Sequence, residues 1–183
     1  MRLWRTVATK ETNIDVATVG LLARYNKKTN EDMNVFLEPL TDKQWRHPFV
    51  GYYPNILSLC NHLYIADFNW LKRFQNLRDF SYRQAPLFEN SYTFDMNVVE
   101  PRGYASMRKE LDELLLKLAD EVTSEDFEQT LKWKNFRDED QARQFGGVLL
   151  HMFNHQTHHR GMISVYLEHL GKDNDYSNLL FMV

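Results

Sequence analysis

Leu149-Leu150-His151-Met152-Phe153-Asn154-His155-Gln156-Thr157-His158-His159-Arg160-Gly161 is the stretch on which the fold of this chain turns. Four of the seven histidines fall within nine residues of it, and its apolar residues have helical spacing. His155 and His159 are four apart, so on an α-helix they sit one turn apart on one face. Two imidazoles so placed can grip a single metal ion. His151, His155 and His159 recur every fourth residue, with His158 and Met162 alongside, while Leu150, Phe153, Ile163, Tyr166 and Leu167 take flanking packing positions.

Working outward, the helix carrying this run extends from about Ala142 to Leu170 and stops at Gly171, a good C-cap residue. Three further helices are predicted. The first spans Val16 to Leu37, with Leu21, Leu22, Tyr25, Met33, Val35 and Phe36 as an imperfect apolar stripe that Pro39 ends. The second runs from after Pro54 to about Leu77 and is apolar around much of its circumference, so it is buried on more than one side. The third covers Gly103 to Val122, with Met107, Leu111, Leu114, Leu115 and Leu118 at clear helical spacing. Residues 78–101 form a connection long enough to cross a bundle from end to end. The alternation Thr130-Leu131-Lys132-Trp133-Lys134-Asn135-Phe136 predicts a short strand or hairpin before the last helix. Four long helices in one domain predict an all-α four-helix bundle, and the connection lengths favour up-down-down-up order.

Composition agrees. The chain has 183 residues, 43% hydrophobic and 26% charged, as a single soluble globular domain should. Only 7 glycines and 5 prolines leave little material for the many tight turns of an all-β fold. A net charge of −3 offers no basic excess for nucleic acid. The opening residues carry two arginines but no continuous apolar segment after them, so no signal peptide is expected, and no run approaches the roughly 20 apolar residues of a membrane span. The one cysteine, Cys60, cannot form an intramolecular disulfide, which suits a reducing compartment. A cytoplasmic protein is expected.

Two imidazoles hold a divalent ion poorly, and a third ligand from another helix would complete a face that leaves positions open for water or substrate. The best candidate is His62, set among Leu59, Cys60, Leu63 and Ile65, where an unpartnered polar ring would be costly to bury. His47, before Pro48, and His169, beside the helix end, read as surface or capping residues. The competing reading is a solvated histidine stripe or a pH-sensitive interface.

Asn154-His155-Gln156-Thr157-His158-His159-Arg160-Gly161 resembles the signature of the DinB-like family: a histidine, three residues, a second histidine, then Arg-Gly and usually Gln. Asn61-His62-Leu63, with Trp70-Leu71 eight and nine residues beyond His62, is similar to the family's other signature, and Leu131-Lys132-Trp133-Lys134-Asn135-Phe136 also has its look. The resemblance covers nearly the whole chain in the right order. It implies an up-down-down-up four-helix bundle with a divalent metal held by His62, His155 and His159. His158 falls on a variable position and is not taken as a ligand; His158, Tyr166 and His151, one turn before the motif, are expected to line the pocket. The usual Gln is Met162 here, so any support it gives the site is changed. Gly161 inside a helix costs roughly 1 kcal/mol, which close helix packing would explain. Arg160 can pair with an acid on a neighbouring helix or with an anionic ligand, and the pairing with an acid is the favoured expectation.

Relatives in this family and its wider superfamily include thiol-dependent transferases and a thiol-dependent isomerase. The leading expectation is therefore a metal-dependent transferase or hydrolase-like enzyme in which the metal, zinc or nickel, activates a low-molecular-weight thiol or water. The general base is unassigned between His151 and Tyr166. The loop aromatics Tyr52, Tyr53, Tyr92 and Phe94 can line a pocket, although packing accounts for them equally well. The alternative is a non-catalytic metal-binding bundle mediating stress-related association, and a third reading is a neutral histidine cluster with no metal. The substrate is a small molecule of open identity, with no nucleic-acid or membrane partner. A homodimer is expected, since the apolar tail Asn178-Leu179-Leu180-Phe181-Met182-Val183 needs cover, although it can equally fold onto its own bundle.

Overall fold

The computed structural model describes residues 14–177 and 179–183. The opening segment read for a leader, and Asn178 of the apolar tail, lie outside the described residues. The described chain is mostly helical, with one two-stranded sheet: α1 (Val16–Leu37), α2 (Asp42–Trp45), α3 (Ile56–Phe74), α4 (Tyr104–Glu121), α5 (Ser124–Glu128), β1 (Thr130–Lys134), β2 (Asp140–Gln144) and α6 (Phe145–His169). Short 3-10 turns fill Ser81–Gln84, Pro86–Glu89 and Leu179–Met182.

Local chemistry accounts for most boundaries. Asp15 caps α1 by accepting from the Thr18 amide at 2.7 Å, and the helix ends two residues before Pro39. Asn55 and Ser58 form a reciprocal capping box at the start of α3. The same device starts two short helices that the apolar periodicity did not reveal: Thr41 with Gln44 opens α2, and Thr123 with Asp126 opens α5. The second helix stops at Phe74 rather than Leu77, because Asn76 and Leu77 turn back onto the carbonyls of Arg73 and Phe74. The last helix starts at Phe145, not Ala142. Residues 140–144 instead pair antiparallel with 130–134, so that Leu131 faces Arg143 and Trp133 faces Gln141.

The four long helices contact one another in a closed ring, α1 and α3 each packing against α4 and α6. α3 buries Ile56, Leu59, Leu63, Phe68 and Leu71, on more than one side as its composition predicts. α1 departs from its predicted stripe. Its buried face is Val19, Ala23, Asn26, Thr29, Asn30, Met33 and Leu37, whereas Val35 is 67% exposed. The apolar period was imperfect because three of the buried positions are polar.

Two of them, Asn26 and Asn30, belong to a buried network drawn from all four helices. Arg108 on α4 sits 2.5 Å from Asp67 of α3 and 3.0 Å from Asp112 on its own helix. Asn26 and Asn30 of α1 donate to Asp112 at 3.0 and 2.9 Å. Arg160 of α6 donates to the Asn26 side-chain oxygen and to Gln156 at 3.3 Å. Arg160 therefore reaches Asp112 through Asn26, and among the described residues it makes no direct ion pair of the kind expected. With two arginines and two aspartates the network is neutral overall, which is what makes charge tolerable inside a helical core. Burial still pushes Asp112 up to about 6 and Arg160 down to about 10.

Candidate metal centre

His62 projects from the middle of α3 towards α6, where His155 and His159 sit one turn apart. Across the interface, Nε2 of His62 lies 3.2 Å from Nε2 of His155, and Nε2 of His159 lies 3.0 Å from the same atom. One ligand nitrogen from each of the three rings falls within 4.8 Å of the others. Zinc–imidazole bonds arranged tetrahedrally set neighbouring ligand nitrogens about 3.3 Å apart, so the donor set fits a divalent ion.

The electrostatics point the same way. Burial lowers His62 and His155 to about 4 and His159 to about 3. The three rings are thus neutral at pH 7 and keep their lone pairs for a metal. Nδ1 of His155 and of His159 is buried without a hydrogen-bond partner among the described residues.

Tyr53 and Phe94 flank the cluster. The Tyr53 ring centroid is 4.8 Å from that of His62 and 5.5 Å from that of His159; Phe94 lies 5.3 Å from His62. Burial pushes the Tyr53 phenol up to about 12, so it keeps its proton and can donate. A cavity of about 900 Å³ opens beside the cluster, lined by Tyr52, Tyr53, Asn61, His62, Phe94 and Phe136. Asn61 holds one of its walls in place: its amide donates to the Met96 carbonyl at 2.9 Å, and its oxygen accepts from the Val98 and Val99 amides at 2.8 and 3.0 Å. Tyr92, by contrast, packs inward on Phe68 at 4.6 Å.

The remaining predicted residues fall outside the cluster. His151 is exposed on α6, with its ring 5.7 Å from Trp70 and 6.0 Å from His155. His158 is exposed beside His159 at 4.9 Å. Tyr166 stacks on Phe49 at 4.2 Å and donates to the Tyr53 carbonyl at 2.7 Å. Its hydroxyl thus braces the loop that carries Tyr53. Met162 is half-buried against the core, and His47 and His169 are exposed. Leu150 is 39% exposed instead of packed.

Gly161 requires a correction. A Cβ there would meet nothing within 4 Å, so close packing does not explain it. The close approach on α6 is at Gly146, where a Cβ would lie 3.2 Å from Cβ of Phe127 and 2.8 Å from Ile14. Sequence reasoning also missed the Asp67–Arg108–Asp112 network; its one signal was a charged residue inside the apolar run of α3.

The DinB family model matches residues 10–181, nearly the whole chain. The chain belongs to the DinB family. Within this DinB chain, the two histidine signatures on α3 and α6 are the segments that meet at the cluster. No curated protein and no solved structure matches the chain.

Proposed function

We propose that this DinB protein is a divalent-metal-dependent enzyme, built as an up-down-down-up four-helix bundle, in which His62, His155 and His159 hold zinc or nickel. The reading is carried by one observation: three neutral imidazoles from two helices converge beside a cavity wide enough for a small molecule. A metal bound there would act as a Lewis acid, lowering the pKa of a thiol or water in its open position. The chain's own residues supply the rest. Tyr53, Phe94 and Phe136 give the cavity an aromatic wall, and the protonated Tyr53 phenol offers a donor beside His62 and His159. A thiol-dependent S-transfer or a hydrolysis would suit such a site, with the general base unassigned. The test is a screen of bacillithiol, mycothiol, glutathione and coenzyme A against electrophilic acceptors, with and without metal. Turnover with one thiol that disappears in His155→Ala supports the reading, and silence across all of them, and with water alone, overturns it.

A second reading has its own observation. Leu180, Phe181 and Val183 of the tail are 73%, 80% and 80% exposed, an apolar end that an association partner would cover. On that reading the metal is structural and the protein associates, as a homodimer or in a stress-related assembly. Sedimentation velocity of the full chain against a chain ending at residue 177 separates the two readings.

A further inference from the structure

We propose that the cleft between the β1–β2 hairpin and the α3–α6 groove binds a small aromatic carboxylate. The cleft holds about 370 Å³, the size of a small-ligand pocket, and shares no lining residue with the cavity beside the histidine cluster. Its walls are aromatic. Trp70 of α3 meets Trp133 of β1 at 5.6 Å and 70°, and His151 of α6 at 5.7 Å and 76°. Both neighbours stand edge-on to Trp70, and Gln144, Gly147 and Val148 complete the lining. A flat ring entering there can stack on one aromatic and meet the edge of another.

Arg143 decides the ligand's charge. Directly opposite residues of an antiparallel pair share a face, and Arg143 is opposite Leu131, which is fully buried. Arg143 nonetheless stays exposed, at the rim of the cleft. Arg143 donates from Nη1 to the Ala142 carbonyl at 2.7 Å, and no carboxylate lies within ion-pair distance of it among the described residues. An exposed guanidinium at the rim of an aromatic-walled cleft, with no acid of its own among the described residues, suits a carboxylate that enters ring first. A charge on a hairpin edge can also serve only to block edge-to-edge pairing, and that role would give no preference among ligands.

The cleft meets the histidine cluster at His151, one helical turn, about 6 Å along the axis, from His155. The proposal stands on the cleft alone and does not depend on a metal. The test is titration of the full chain with 3-phenylpropionate and with 3-phenylpropanol, read by calorimetry and by the fluorescence of Trp70 and Trp133, with and without EDTA. The acid should bind about tenfold more tightly than the alcohol, with or without EDTA, and Arg143→Gln should remove that preference while leaving the melting temperature unchanged. Trp133→Ala should weaken both ligands together. Equal affinity for acid and alcohol, saturation by neither, or wild-type preference in Arg143→Gln would overturn the proposal. Loss of metal binding in a separate elemental analysis would leave it untouched.

Discussion

Nε2 of His62 and Nε2 of His155 lie 3.2 Å apart, although 93 residues of chain separate them. The contact forms because α3 and α6 are neighbours in the ring of helices, and each turns its histidine into their shared groove. Neither helix alone carries a usable donor set. Together they bring three neutral nitrogens within 4.8 Å of one another, with two of the separations close to those around a tetrahedral ion.

Metal content is the first prediction. Protein purified without an affinity tag should carry about one divalent ion per chain, and His62→Ala and His155→Ala should each lose it. Saturating metal at about a thousand times its Kd should stabilise the wild type by about 4 kcal/mol in thermal melts. Stoichiometric metal retained by both variants would rule out the ligand set.

The pH dependence has a definite sign. The folded values of His62, His155 and His159, about 4, 4 and 3, lie below the unfolded value of 6.5. The folded chain therefore binds fewer protons through this window, and the stability these groups contribute is complete above pH 6.5 and lost as pH falls towards 4 and 3. Metal-free wild type should lose melting temperature more steeply between about pH 7 and pH 4.5 than a His62→Gln, His155→Gln, His159→Gln variant. Asp67 and Asp112, which burial raises, are common to both proteins and cancel. Parallel slopes would contradict the assignment.

Breaking the buried network should be expensive. Arg108 is 1% exposed, and Arg108→Met leaves Asp67 and Asp112 without their cation. Urea denaturation should show a loss of about 3–5 kcal/mol. Replacing Arg108, Asp67 and Asp112 together by apolar residues of similar volume should recover much of that loss.

Gly161→Ala should stabilise the protein by about 1 kcal/mol, because alanine favours the helix and its methyl meets nothing. Gly146→Ala should do the opposite, since its methyl would press on Phe127 and Ile14. A loss of stability in Gly161→Ala would show that another surface covers this face of α6.

The sequence by itself determined the four long helices, their approximate ends and the hairpin, because these follow from local rules: helical spacing of Leu111, Leu115 and Leu118, the stop at Pro39, the alternation around Trp133. It also singled out His62, His155 and His159, two by their spacing and the third by the cost of an unpartnered ring among apolar neighbours. The short helices α2 and α5 were written in their capping boxes but have too few apolar residues for periodicity to show. The polar face of α1 was illegible for a different reason: Asn26 and Asn30 add nothing to an apolar period, and they are buried because Asp112 of α4 is set against them. Tertiary structure alone decided which polar residues are buried, that Tyr166 braces the Tyr53 loop, that Arg143 lies at the rim of a cleft and that Gly161 faces open space. Each of these depends on what another element places opposite the residue, and a local pattern carries no information about a partner tens of residues away.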